Sequence, residues 1–179
     1  MSAGRKNNIE KKDYNTPPKY VSLINEFFNN KIDLDPCSNL YSLINAQTRF
    51  VLPTDGLKES WARHSTVFIN CPYGRDSGRG TSIYNWVEKS WLTWTQMLNP
   101  KPEHLFLIPV ATNTKHFKNL IFQNFTGICF LGDTRLKFYN QGKEDVKGAP
   151  MACCFVYLGS DYNKFNKVFC NSGKCFRIT

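Results

Sequence analysis

The distribution of apolar residues along the chain predicts three helices. Within residues 20–28 the apolar side chains fall on one face of a helix, with Thr16 as the predicted N-cap and Pro17 at the first helical position. A second helical stripe begins near Ser82, and a third covers residues 114–122. Helical segments are therefore separated by segments without this helical spacing of apolar residues.

Short continuous apolar runs predict strands between these helices. The predicted strands cover residues 32–35, 67–70, 105–108 and 127–130. Strands that alternate with helices of this length predict an α/β fold with a mainly parallel central sheet. Residues 36–66 are predicted to form a loop. Three later segments have β-like patterns without intervening helices, so the C-terminal strands should be antiparallel: residues 135–139, 151–158 and 168–178.

The polar and apolar content divides the chain into an arm and one domain. Residues 1–13 are polar and basic and predict a flexible N-terminal arm, whereas residues 14–179 are predicted to form a single domain. No apolar stretch approaches the roughly 20 residues that span a bilayer. We therefore expect a soluble intracellular protein with no membrane partner, nuclear in a eukaryote and cytoplasmic if a bacterium or phage encodes it.

The charge of the chain favours a polyanionic partner. The chain has 23 Lys and Arg residues against 14 Asp and Glu residues, a formal net charge of +9, which favours nucleic acid. The adjacent residues Cys153 and Cys154 lie within an apolar run, which indicates buried, reduced thiols. Cys170 and Cys175 have no nearby histidine to complete a zinc site, so no metal is expected.

The tetrapeptide Asn70-Cys71-Pro72-Tyr73 directly follows an apolar run. Ligands usually bind at strand ends in α/β sheets, so this position predicts a pocket for a planar amino group. The Asn70 side-chain oxygen and the Cys71 backbone carbonyl would accept hydrogen bonds from the amino group. Pro72 would fix the turn, and Tyr73 would stack on the base. A strand followed by an ordinary Pro-Tyr turn, with Asn70 as a cap, explains the tetrapeptide equally well.

Several motifs in order along the chain resemble those of the phage-type DNA adenine-N6 methyltransferases. The tetrapeptide is similar to that family's Asn-Pro-Pro-Tyr motif, with Cys71 in place of the first proline. The other matching positions are residues 16–17, 34–37, 55–57, 61, 68–69, 83, 86–87, 107–109, 112, 114, 135–138 and 149–151. Together these motifs lie within residues 14–158.

This resemblance implies a Rossmann-like methyltransferase fold, S-adenosylmethionine as the methyl donor and DNA as the partner. The residues that it assigns to donor binding are Thr16, Pro17, Asp35, Pro36, Cys37, Asp55 and Asn70. It assigns the catalytic step to Asn70, Cys71, Pro72 and Tyr73. The first central strand lacks a glycine-rich turn, so residues 35–38 must shape the donor loop differently.

Arg75 and Arg79 lie in a glycine-rich, cationic segment that is predicted to be flexible and to contact DNA. The leading interpretation is methyl transfer to N6 of an adenine that is flipped out of DNA. Cytosine N4, RNA adenine or a protein glutamine would suit the same acceptors, and a noncatalytic nucleic-acid-binding module is a further alternative. The sequence determines neither the oligomeric state nor the recognition sequence.

Overall fold

A computed structural model of the chain describes residues 14–97, 100–133, 135–145, 148–149 and 151–179. The predicted N-terminal arm, residues 1–13, lies outside these ranges. The strands are β1 (Tyr14–Asn15), β2 (Ile32–Ser38), β3 (Ala46–Val51), β4 (Thr66–Ile69), β5 (Glu103–Pro109), β6 (Gly127–Leu131), β7 (Tyr139–Asn140), β8 (Lys143–Glu144), β9 (Cys153–Leu158) and β10 (Gly173–Arg177). The helices are α1 (Pro18–Phe27), α2 (Ile83–Gln96), a π-helix (Phe117–Ile121), α3 (Phe122–Asn124) and α4 (Tyr162–Phe169).

Seven of these strands form one mixed sheet in the order β10-β6-β9-β5-β4-β2-β3. The pairs β2–β3, β2–β4 and β4–β5 are parallel, whereas β9 is antiparallel to both β5 and β6. Strands β2, β3, β4, β5 and β6 therefore run in one direction. Strands β9 and β10 run in the opposite direction, since β10 is also antiparallel to β6. The predicted α/β class and antiparallel C-terminal strands are therefore confirmed.

Helices cover both faces of this sheet. Alternate residues of β9 point to opposite faces, as a strand requires, so Phe155 joins one apolar cluster and Val156 the other. Phe27 of α1 and Phe165 of α4 belong to the first cluster, and Trp86 of α2 belongs to the second. Both faces of the sheet are thus buried. A ligand site can therefore form at the ends of its strands.

The first helix departs from the predicted N-cap. Helix α1 begins at Pro18 with Pro17 at the N-cap position, and no side chain caps it. Thr16 is therefore not the N-cap. Its hydroxyl accepts a hydrogen bond from Asn70 Nδ2 instead. The start of α2 follows the prediction, since Ser82 precedes its first residue and the Ser82 N–H donates to Asn85 Oδ1 at 2.9 Å.

Two further segments differ from the sequence prediction. The region predicted as a loop contains β3, an edge strand whose polar residues Gln47 and Arg49 are exposed, so it has no continuous apolar run. The prediction of β structure throughout residues 168–178 was wrong, because α4 extends to Phe169 and β10 begins at Gly173. Asp161 caps α4 by accepting a hydrogen bond from the Lys164 N–H at 2.9 Å, a local signal for a helix.

A small three-stranded sheet lies apart from the large one. Its order is β1-β7-β8, with Tyr14 opposite Asn140 in the antiparallel pair of β1 and β7. The two-residue turn between β7 and β8 has positive φ at Gln141 and Gly142, as a tight hairpin requires. Of the predicted strand at residues 135–139, only the last residue lies in a strand. Pairing with β7 fixes the chain just before Thr16.

Candidate active site

Predicted donor-binding residues meet at the carboxyl ends of two neighbouring parallel strands. β2 and β4 pair at Leu34 and Val67, so their C-terminal ends lie at the same edge of the sheet. A narrow cleft at this edge is lined by four of the predicted residues: Thr16, Asp35, Cys37 and Asn70. Residues that are far apart in sequence are therefore brought together where α/β sheets usually bind ligands.

The Asn70 side chain is held by hydrogen bonds at both ends of its amide. Its Nδ2 donates to Thr16 Oγ1 at 3.2 Å, and its Oδ1 accepts from the Tyr73 hydroxyl at 3.0 Å. An amide oxygen has two lone pairs, so Oδ1 has capacity for a second donor. The amide thus has a defined plane and one acceptor position of the kind that an amino-group pocket needs.

The Tyr73 hydroxyl has one proton and two acceptors within reach. Besides Asn70 Oδ1, the Leu107 carbonyl oxygen lies 3.0 Å from it. Burial raises the pKa of Tyr73 well above its ordinary value, so the hydroxyl stays protonated and donates. The Tyr73 ring meets Phe138 edge to face, with centroids 5.6 Å apart. Leu107 contributes through its backbone, which no side-chain pattern in the sequence could reveal.

Cys71 occupies the position of the family's first motif proline. Its side chain is buried in the apolar cluster that includes Ile69 and Val87. Burial raises the pKa of the Cys71 thiol to about 12, so the thiol is neutral near pH 7 and is not activated as a nucleophile. Any contact of Cys71 with a substrate in the cleft would therefore be made by its backbone. Pro72, the next residue, is exposed.

Asp35 is a buried carboxyl group in the cleft, with 4% of its surface exposed. Its Oδ1 accepts from the Cys37 N–H at 3.3 Å, and its Oδ2 accepts from the Ser42 hydroxyl at 3.4 Å. Burial raises the pKa of Asp35 from its ordinary value of 3.8 to about 6, although hydrogen bonds and the charge of Arg49 oppose the shift. At neutral pH the group is a carboxylate whose negative charge is only partly offset by these hydrogen bonds and by Arg49. It is therefore suited to a cationic ligand.

Gly56 brings the Asp55 loop into contact with Pro36. A Cβ atom at position 56 would lie 1.8 Å from the Pro36 carbonyl oxygen, so a side chain does not fit there. Trp61 Nε1 donates to the Gly56 carbonyl at 2.8 Å and fixes the same loop from the other side. Two predicted donor-binding residues, Pro36 and Asp55, are thus neighbours because position 56 lacks a side chain.

The segment that carries Arg75 and Arg79 has its own hydrogen-bonded turn. Asp76 and Thr81 exchange two backbone hydrogen bonds of 2.8 and 3.1 Å, and Asp76 Oδ1 accepts from the Gly78 and Arg79 N–H groups. The Arg79 guanidinium pairs with Asp76 at 2.8 Å and with Asp55 at 3.4 Å. Arg79 therefore connects the turn to the Asp55 loop, while Arg75 is exposed.

A wider groove lies beside this turn and along α2. Residues that line it include Asp55, Lys58, Arg79, Asn85, Glu88 and Lys89. Lys89 Nζ donates to the Leu57 carbonyl at 2.9 Å, which ties α2 to the Asp55 loop. No sequence motif marks Lys58 or Lys89 as groove residues, because isolated lysines carry no motif. The only signal was the spacing of Asn85, Glu88 and Lys89, which places them near one another on the helix surface.

Neither a metal-binding cluster nor a membrane-spanning helix is present in the part of the chain that the structure describes. No group of three or more His, Cys, Asp and Glu residues there is arranged to hold a metal ion. Within the same ranges, no helix has both the length and the apolar character needed to cross a membrane. Cys175 lies opposite Cys129 in the pairing of β10 with β6, and Cys170 is the C-cap of α4.

A family model described as DNA N-6-adenine-methyltransferase (Dam) matches residues 4–174, nearly the whole chain. The chain belongs to the DNA N-6-adenine-methyltransferase family. This membership confirms the resemblance seen in the sequence motifs and identifies the protein as an enzyme that methylates adenine N6 in DNA. Searches of curated proteins and of solved structures gave no significant match.

Proposed function

We propose that the enzyme binds S-adenosylmethionine in the cleft at the carboxyl ends of β2 and β4, next to the position of a flipped adenine. The observation that carries this proposal is the convergence of Thr16, Asp35 and Asn70 on one cleft. We also assign the sheet to the Rossmann-like methyltransferase fold. The common direction of five strands and the position of the cleft at their carboxyl edge support this assignment.

The chemistry of the cleft fits this donor, whose sulfonium and ammonium groups are cationic. The buried carboxylate of Asp35 suits those cations, and Cys37 lines the same cleft. We assign Pro36, which lies between them in the chain, to donor binding as well. Thr16 and Pro17 precede α1, and the positive end of the helix dipole there favours an anion such as the donor's carboxylate. We assign Asp55 to the adenosine side. When bound, the donor supplies an electrophilic methyl group.

The motif would then prepare the adenine amino group for attack. Asn70 Oδ1 and the Cys71 carbonyl would accept hydrogen bonds from its two N–H groups, so that the nitrogen lone pair turns towards the methyl group. As the new N–C bond forms, the C–S bond of the donor would break to leave S-adenosylhomocysteine, and one N–H proton would be released to water. Both acceptors bind the nitrogen more strongly as it becomes positively charged, which favours the transition state over the ground state. Pro72 fixes the turn that carries the Cys71 carbonyl, and Tyr73 stacks on the extruded base.

We expect donor affinity to rise with pH around the pKa of Asp35. Below about pH 6 the buried carboxyl is neutral and attracts a cationic ligand less, so the affinity should increase about tenfold between pH 5 and pH 7. Calorimetric titration of the folded protein with S-adenosylmethionine measures this change. The absence of binding at millimolar donor across this pH range would contradict the donor assignment.

The matched variant for this titration is Asp35→Asn, which should bind the donor weakly with little pH dependence between pH 5 and pH 7. The same change should stabilise the free protein. Because the pKa is raised in the folded state, this carboxyl's contribution to stability is fully present below pH 3.8 and is lost as pH rises through about 6. A pH dependence of donor affinity that persists in Asp35→Asn would assign it to another group.

Replacement of Arg75 and Arg79 by alanine should weaken DNA binding more than donor binding. Each arginine that meets a phosphate releases counterions, so the double variant should lower the slope of log affinity against log salt by about 2. Arg79 also pairs with Asp55, and we therefore expect a smaller loss of donor affinity. Fluorescence anisotropy with a labelled duplex at several salt concentrations measures the DNA effect.

The charge-matched control is the double change Lys167→Ala and Lys174→Ala. Both lysines are exposed, on α4 and β10, at the opposite end of the sheet order from β2 and β3. This control lowers the net charge by the same amount and should leave most of the DNA affinity intact. Equal losses in the two double variants would show that net charge acts without a specific contact at the Arg75 turn.

A further inference from the structure

Thr16 has a buried hydroxyl that does not serve its own helix. Only 4% of the residue is exposed, and α1 begins after Pro17 without a side-chain cap. The hydroxyl instead accepts from Asn70 Nδ2, a residue 54 positions away in the chain. A buried hydroxyl that bonds to a half-buried amide from another part of the chain restricts the amide's plane, because either group loses a hydrogen bond if the other moves.

The Asn70 amide needs such a restraint if its oxygen is to accept from an amino group. An asparagine side chain is nearly symmetric in shape, and rotation by half a turn would exchange Oδ1 with Nδ2. The rotated amide would present N–H groups to the substrate's own N–H groups and could not accept from them. The donor's methyl group also demands one orientation of the reacting nitrogen, since small misplacements slow a transfer strongly.

The contact on the other side of the amide does not provide this restraint alone. The Tyr73 hydroxyl can direct its single proton to Asn70 Oδ1 or to the Leu107 carbonyl, which lie at equal distances of 3.0 Å. If the proton goes to Leu107, the Tyr73 oxygen can only accept. Thr16 is then the side-chain partner that still holds the amide in place and fixes its plane.

We propose that Thr16 is a positioning residue for methyl transfer, whose hydroxyl holds the plane of the Asn70 amide beside the adenine amino group. This inference rests on the proposed function, because it needs Asn70 to be the amino-group acceptor. It gives Thr16 a role in the transfer step that is separate from any contact with the donor. Thr16→Val is the direct variant, because valine keeps the branched shape and lacks the hydroxyl.

The test is single-turnover transfer from methyl-labelled S-adenosylmethionine to DNA, with both donor and DNA saturating. Thr16→Val should lower the rate roughly ten- to hundredfold, and Thr16→Ser, which restores a hydroxyl, should recover most of it. Donor affinity is measured separately by calorimetry. Thr16→Ala provides a second variant without the hydroxyl, and circular dichroism confirms that each variant is folded.

The double change with Asn70→Ala decides whether Thr16 acts through Asn70. If it does, adding Thr16→Val to Asn70→Ala should cause no further loss of rate. The same loss in both backgrounds, or a Thr16→Val defect that disappears at saturating donor, would overturn the positioning role while leaving the proposed function intact. A folded wild-type enzyme that transfers no methyl group from this donor would instead refute both.

Discussion

Replacing Asn70 with alanine should lower the single-turnover rate of methyl transfer to DNA by about a hundred- to a thousandfold. The change removes one of two acceptors for the reacting amino group, and this acceptor contributes most as positive charge develops on the nitrogen. Donor affinity should fall far less, because the other cleft residues, Thr16, Asp35 and Cys37, are unchanged. Rapid-quench measurement at saturating donor separates the rate from the affinity.

Two control variants show whether the loss of rate comes from removal of the side-chain acceptor. Asn163→Ala removes an exposed amide on α4 and should have the wild-type rate. Cys71→Pro keeps the backbone carbonyl and restores the family's motif, so it should retain activity. A folded Asn70→Ala variant with the wild-type rate would exclude the proposed catalytic role of Asn70.

Replacing Gly56 with alanine should both destabilise the enzyme and weaken donor binding. The new Cβ would meet the Pro36 carbonyl oxygen at 1.8 Å, a backbone atom that cannot rotate away. Overpacking of this kind costs about 1–3 kcal/mol, which corresponds to a decrease of about 2–12 °C in Tm for a domain of this size. Because the change separates Asp55 from Pro36, donor affinity should fall as well. Thermal unfolding and calorimetry measure the two effects.

Gly74→Ala is the matched control for this substitution. Gly74 lies at the start of the neighbouring turn, and a Cβ there would have no atom within 4 Å. It should therefore leave Tm and donor affinity close to their wild-type values. Equal behaviour of the two alanine variants would contradict the close contact between the Asp55 loop and Pro36.

The sequence predicted the central strands because their apolar runs are buried on both faces. Leu105, Phe106, Leu107 and Ile108 are all inaccessible to solvent, and their continuous pattern identified β5. Segments with one buried face were harder to predict. β3 is a polar edge strand, and α4 contains aromatic residues that also suit a strand, so their tertiary packing determined their structure.

The positions of the candidate site residues followed from strand order more than from any single motif. Asp35 lies within β2 and Asn70 directly follows β4, and parallel pairing of the two strands brings these residues to the same edge of the sheet. The role of Thr16 could not be predicted, because local capping and a distant partner compete for the same hydroxyl. The structure shows that the distant partner, Asn70, has it. The ion pair of Arg79 with Asp55 is likewise a tertiary contact without a sequence signal.

The most direct test of the central claim is the identity of the methylated nucleoside. The wild-type enzyme is incubated with S-adenosylmethionine carrying a deuterated methyl group and with DNA, RNA or a glutamine-containing protein in parallel, and the products are digested for mass analysis. We predict deuterated N6-methyladenine from DNA, in an amount that depends on enzyme and donor and is strongly reduced with Asn70→Ala. Label found only in N4-methylcytosine, only in RNA or protein, or in no product of a folded enzyme, would contradict adenine-N6 methylation of DNA.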